Sequence, residues 1–177
     1  VRSQQATVSA ILQSLEHHGL YWDGDIVYQS KRSDYYKAAF VALKNQDMFF
    51  ACDCSRQQLA AHHPRYPGYC ETANKAVELT NTQTPFAWRL KVDDQHHTLV
   101  DRVAGNYDLA PRALYGAPVL KRKDGFFAYH LAVVVDDDLQ GITHIVRGAD
   151  LLPETGIHRD LQKKLNLNKP SYAHLPI

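Results

Sequence analysis

Cysteine is scarce in this chain, with three residues in all, each of them between positions 52 and 70. An odd number of thiols cannot pair off, so a disulfide scaffold is excluded as what organises that stretch. A long apolar run is also missing, as is a charged-then-apolar leader, so the chain is expected to be soluble, cytoplasmic and without a membrane partner. Thiols stay reduced in that compartment. No excess charge of one sign exists either. Lys+Arg 20 against Asp+Glu 19 leaves a net +1, so a nucleic-acid partner would need a local basic patch. There is no internal repeat and no low-complexity tract. What remains is 177 residues at 45% hydrophobic content, enough for one ordinary core or two small layers around one site and too apolar for a disordered tail.

The organisation reads as mixed α/β. The opening "VRSQQATVSAILQSLEHHGL" predicts a helix with Val8, Ile11, Leu12 and Leu15 on an inward face and Gly19 as its stop. "SDYYKAAFVALKNQ" predicts a second, with Ser33 as N-cap and Tyr36, Phe40 and Leu43 buried. "MFFA" is a short strand leading into Cys52, residues 72–84 form a polar connector, and "FAWRLKV" alternates like a half-buried strand. Residues 103–118, with Gly105, Pro111, Gly116 and Pro118, read as a loop. Beyond it, Asp124-Gly125 marks a hairpin turn, followed by an apolar run that periodicity alone leaves open between strand and helix. "GITHIVRGAD" is a β-branched strand ending in a turn at Gly148. "PETGIHRDLQKKLNLN" is a helix with Pro153 near its start, Leu161 and Leu165 inward, and Lys163 and Lys164 near its end. The apolar close "SYAHLPI" and the start inside a helical pattern suggest a piece of a longer chain.

Cys52 and Cys54 flank one residue at a strand end, and Cys70 returns across a loop containing Pro64, Pro67 and Gly68. Zinc favours four soft or borderline ligands in a tetrahedron, and closely spaced thiolates supply two of them at little entropic cost. His62, His63, Tyr66 and Tyr69 are the candidates for the fourth. Chemistry alone favours imidazole, because a phenol near pKa 10 must be acidified by the metal. Three unmetallated cysteines are the bland alternative; a catalytic thiol lacks any base placed by the sequence.

Arg147 stands at the exit of a predicted strand, and Tyr129 near one end of the apolar run. Ligands of open α/β sheets bind at strand exits, where a guanidinium offers a planar fork to carboxylate or phosphate and a phenol adds a directional hydrogen bond. A surface arginine and a core tyrosine are the alternative. Asp136, Asp137 and Asp138 read as a solvated turn more readily than as a Mg²⁺ site, and His144 as a packed or surface histidine.

These residues carry a resemblance. "YHLAVVVDDDLQGITHIVRGADLL", "GLYWDGDIVYQS" and "YAHLPI" resemble the Rossmann-like catalytic core of class I glutamyl-tRNA synthetases, and more closely the glutamyl-Q tRNA(Asp) synthetases, which attach glutamate to the queuosine base of a tRNA anticodon. "CDCSR" with "YPGYC" is similar to the paralogue's zinc motif, which implies Cys52, Cys54, Tyr66 and Cys70 as ligands to a structural Zn²⁺, with His63 as a substitute for the tyrosine. Val133 stands where the ordinary enzyme carries Asn, and "RGADLL" also suits the paralogue. The resemblance implies that Tyr129 and Arg147 hold L-glutamate. A two-pronged guanidinium contact there would reject glutamine, whose amide leaves the arginine under-satisfied.

It further implies three segments: 1–47 as the remainder of the first half of the nucleotide-binding fold, 48–118 as an inserted zinc-binding α+β subdomain facing the acceptor, and 119–177 as the second half. ATP with Mg²⁺ and queuosine-containing tRNA(Asp) would be substrates of a monomeric parent ligase. The HIGH-like and KMSKS-like motifs of the family are absent from this sequence, so the fragment alone is expected to be inactive. A piece of an ordinary glutamyl-tRNA synthetase and a non-catalytic zinc and RNA-binding module stay open as alternatives.

Overall fold

The computed structural model describes residues 5–72, 75 and 83–177. The expected polar connector at 72–84 lies largely outside them. Among the described residues, six α-helices run in chain order: α1 (Gln5–His17), α2 (Ser33–Asn45), α3 (Arg56–Ala60), α4 (Pro111–Tyr115), α5 (Tyr129–Leu139) and α6 (Thr155–Leu165). The strands β1 (Phe49–Cys52), β2 (Ala87–Leu90) and β5 (Val119–Lys121) pair antiparallel in the order β1-β2-β5. A second sheet, β4-β3-β7-β6, contains β3 (His97–Asp101), β4 (Gly105–Leu109), β6 (His144–Gly148) and β7 (Ser171–Leu175). Its β6 and β7 run parallel with α6 as their crossover, which parallel neighbours require. The strands of residues 48–118 therefore divide between the sheets, β1 and β2 in the first and β3 and β4 in the second, while β5 of the following segment joins the first and β7 pairs with β3.

The apolar run after the Asp124-Gly125 turn is a helix. α5 buries Leu131, Ala132, Val134 and Val135, so most of its circumference is covered, which is why no polar face showed in its sequence. Against it pack Tyr36 and Leu43 of α2, Ile157 and Leu161 of α6, and Phe49, Leu90 and Leu120 of the first sheet. Each such side chain stabilises the fold by roughly 1.5–3 kcal/mol on burial. α6 ends as expected, with Lys163 and Lys164 in its last turn and Asn166 in the left-handed conformation at φ 54°.

Five expectations need correction. Arg32 occupies the α2 cap position and no side chain caps that end, so Ser33 is already helical. α1 forms and stops at Gly19 (φ 69°), but Ile11 and Leu15 on its apolar face are 54% and 37% exposed. Residues 103–118 are no plain loop, because β4 folds back on β3 and Pro111 starts α4. The three aspartates belong to the end of α5 and do not form a turn. There Asp136 is buried, accepting from Tyr36 Oη at 2.7 Å and Gln29 Nε2 at 3.0 Å and lying 2.7 Å from Arg32 Nε. That last contact is coulombic, being poorly aligned for a hydrogen bond. Gly148, finally, has φ −65°, so its value is space: a Cβ there would come within 2.5 Å of Asp150 Oδ1.

Candidate functional site

The cysteine stretch builds one small cluster. β1 delivers Cys52, and Ser55 with Gln58 closes a capping box that starts α3 directly after Cys54. The sulfurs of Cys52, Cys54 and Cys70 all lie within 4.8 Å of one another, and Cys54 Sγ is 3.5 Å from Cys70 Sγ. That separation is close to the ~3.8 Å edge of a zinc–thiolate tetrahedron with bonds of about 2.3 Å. Tyr66 is buried beside them, its hydroxyl accepting from the Cys70 backbone N–H at 2.8 Å. Burial and the neighbouring sulfurs push the Cys54 thiol up to about 12. His62 turns to the Tyr69 hydroxyl at 2.9 Å, both being exposed, and His63 is exposed; neither belongs to the cluster of possible ligands.

Two supports hold this loop. Tyr66 N–H donates to Tyr115 O at 2.9 Å, and Gly116 follows at φ 67°, where a Cβ would come within 2.3 Å of Tyr66 O. Arg112 clamps Glu71 with two parallel hydrogen bonds of 2.5 and 2.9 Å. A cleft of about 370 Å³ opens beside the sulfurs, lined by Arg56, Arg89, Lys123 and Arg122, the last paired with Asp124 of the same lining. Arg89 also stacks on Tyr66, its guanidinium 4.2 Å from the ring centre.

The second site lies at the carboxyl end of the parallel strands, where α5 and α6 begin. Arg147 of β6 is half-buried and Tyr129 opens α5 at 47% exposure. Both meet His158 of α6: its ring centre is 5.9 Å from that of Tyr129, and its Nδ1 is 3.4 Å from Arg147 Nη1. Arg147 also donates from Nε to His174 Nε2 at 3.1 Å, and from Nη2 to Leu151 O at 3.1 Å and Thr155 Oγ1 at 2.8 Å. The Nε–Nη2 edge is thus engaged within the protein. Only Nη1 can turn to a ligand, which narrows the expected two-pronged fork to one nitrogen.

His130, Glu154 and His158 form a further cluster that sequence reading missed, their ligand atoms lying within 4.8 Å of one another. Arg147 can only donate, so His158 Nδ1 accepts, and its Nε2–H donates to His130 Nδ1 at 3.2 Å. The ring thus presents a proton where a metal would need a lone pair. Burial, with the charge of Arg147, brings His130 down to about 4, and burial followed by His130 and Arg147 depresses His158 further. Both rings are neutral at pH 7. Asp136 and Asp138 are occupied by structural hydrogen bonds, and His144 is exposed beside Thr143. No helix among the described residues is long and apolar enough to cross a membrane.

The catalytic-domain family of class I tRNA synthetases (E and Q) matches residues 1–177. Glutamyl-Q tRNA(Asp) synthetases of Pseudomonas putida KT2440 and Pseudomonas entomophila L48 are 43% and 42% identical over 99% of the chain. The chain spans 57% and 58% of their lengths, respectively. Among solved structures, a glutamate tRNA ligase of Elizabethkingia meningosepticum, determined in complex with its amino acid, superposes with a TM-score of 0.83 over 99% of the chain and 40% of that protein, at 23% identity. At that identity the likeness speaks for the fold. With the family match running the length of the chain, the protein belongs to the class I tRNA synthetase (E and Q) catalytic-domain family.

Proposed function

We propose that this chain is the glutamate-holding part of a ligase that activates L-glutamate with ATP and transfers it to the queuosine base of tRNA(Asp). The observation that carries the reading is Arg147, fixed near the carboxyl end of β6 with Nη1 toward His158 in the first turn of α6, whose ring also meets that of Tyr129 at the start of α5. Helix N-termini favour an anion, and so does the guanidinium. A glutamate carboxylate accepts from Nη1 and from the Tyr129 hydroxyl. Glutamine in the same place offers a neutral oxygen and an N–H₂ that finds another donor, so it binds less well. The relatives named as glutamyl-Q tRNA(Asp) synthetases support the acceptor.

Cys52, Cys54 and Cys70, with Tyr66 as fourth ligand, fit a structural Zn²⁺ by donor chemistry and by the spacing of the sulfurs. The ion would cross-link β1 to the loop ending at Cys70 and hold the basic cleft rigid for RNA phosphates. In the parent enzyme, a glutamate carboxylate oxygen attacks the α-phosphate of ATP. Mg²⁺ on the nucleotide offsets the phosphate charge, and pyrophosphate leaves. This chain's residues bind and orient the amino acid for that step. The test is acceptor choice by the full-length protein: queuosine-containing tRNA(Asp) is expected to take up labelled glutamate and tRNA(Glu) is not. The reverse outcome would assign the chain to an ordinary glutamyl-tRNA synthetase.

A further inference from the structure

The side chains of Asp101 and His174 are wholly shielded from solvent, yet both are polar. Asp101 Oδ1 accepts three backbone N–H groups, from Val103 at 3.0 Å, Ala104 at 2.8 Å and His174 at 3.0 Å, while Oδ2 lies 2.6 Å from His174 Nδ1. Burial opposes ionisation of Asp101, but the Ala104 and His174 N–H groups and the imidazole together hold its carboxyl well below the usual carboxylate range. Across the ring, His174 Nε2 faces Arg147 Nε at 3.1 Å. A guanidinium N–H only donates, so Nε2 accepts and the imidazole proton resides on Nδ1, pointing at the carboxylate. The His174 ring stacks on Tyr172 at 5.7 Å with 2° between planes, and the Arg147 guanidinium lies 5.2 Å from the same Tyr172 ring.

The topology makes this line of groups possible. Arg147 and His174 are register partners on β6 and β7, and Asp101 is paired with Tyr172 across β3 and β7. The three polar side chains therefore sit on three adjacent strands. We infer that Asp101 and His174 are positioning residues for glutamate recognition: the carboxylate fixes the imidazole tautomer, and the imidazole holds Arg147 Nε–H so that Nη1 is left for the substrate. This rests on the reading that Arg147 binds glutamate. His158, at 3.4 Å, is the looser tether and the one a carboxylate replaces most readily.

The informative variant is Asp101→Asn. The three N–H groups on Oδ1 require an oxygen there, so the amide nitrogen must take the place of Oδ2 and donate to His174 Nδ1. The imidazole proton then moves to Nε2, where it meets Arg147 Nε–H, donor against donor. The full-length protein carrying Asp101→Asn, His174→Gln, His174→Phe or Arg147→Lys is to be compared with wild type. Glutamate and ATP affinity are read by calorimetry, the His174 tautomer by ring ¹⁵N spectra, and folding by thermal unfolding. Asp101→Asn is expected to convert His174 to the Nε2–H form and weaken glutamate about tenfold while ATP affinity holds. His174→Gln, which restores an acceptor, is expected to bind glutamate better than His174→Phe, which keeps only the stacked ring. That pair carries the test should Asp101→Asn fail to fold. Equal glutamate affinity in Gln and Phe variants, or a tautomer change without loss of affinity, overturns the inference. Wild-type affinity in Arg147→Lys overturns both the inference and the reading beneath it; loss there alone, with Asp101→Asn unaffected, sinks only the inference.

Discussion

At Arg147, Nε and Nη2 are tied to His174, Leu151 and Thr155 before any ligand arrives, which makes its replacement informative. Lysine keeps the charge but cannot reach those three acceptors together, so its ammonium is free to settle away from the substrate. Arg147→Lys is expected to weaken glutamate binding by about 1.5–3 kcal/mol, the range for a lost charged hydrogen bond, as read by titration of the full-length protein. Unchanged affinity would remove Arg147 from the site. The candidacy of this arginine was legible in the sequence, from its place before Gly at a strand exit and from the family resemblance. Its supports were not. Asp101 and His174 are 73 positions apart and become neighbours only through the strand order β3-β7-β6, which no local pattern encodes.

Among the elements, the loop from Cys52 to Cys70 depends on α4 as well as on the zinc proposed for its cysteines. Gly116→Ala would drive a methyl group into the Tyr66 carbonyl and strain a positive φ, so a cost of roughly 1–3 kcal/mol is expected. The test is zinc content per chain together with the denaturation midpoint; a loop that ignores the substitution keeps both. Cys54→Ser removes one thiolate and is expected to release zinc and speed amide exchange across residues 52–70. The main sheets should persist, because Leu131, Ile157 and Leu161 pack elsewhere. Global unfolding in that variant would show the cysteine cluster to be the centre of the fold. The strand into Cys52 was legible from its β-rich run, and α3 was signalled by Ser55 and Gln58, a capping pair that went unread. α5 was ambiguous for a physical reason: a helix covered on most sides shows little polar periodicity.

Over the whole molecule, the buried histidines, His130 and His158, and the carboxyl of Asp137 pull stability in opposite directions between about pH 4 and 6.5. His130 stays neutral in the fold down to about 4, while an unfolded histidine protonates near 6.5. Its contribution is full above pH 6.5 and is lost as the pH falls toward 4. Asp137 acts in the other direction, since burial and then the Asp136 charge raise its carboxyl from 3.8 to about 6. The folded state holds a proton that the unfolded chain releases, so stability falls as the pH rises from 3.8 to 6. Asp137→Asn is therefore expected to raise the unfolding midpoint at pH 7, with the gain vanishing below about pH 4; a gain independent of pH would assign the effect to something other than this carboxyl. The alternation of strand and helix made the mixed α/β class legible, whereas the split of β3, β4 and β5 between two sheets depends on long-range pairing. The claim that unites these scales is tested most directly by a crystal structure of the full-length protein with L-glutamate. The account expects a substrate carboxylate on Arg147 Nη1 and the Tyr129 hydroxyl, with Arg147 Nε still on His174. Glutamate bound away from both residues would contradict it.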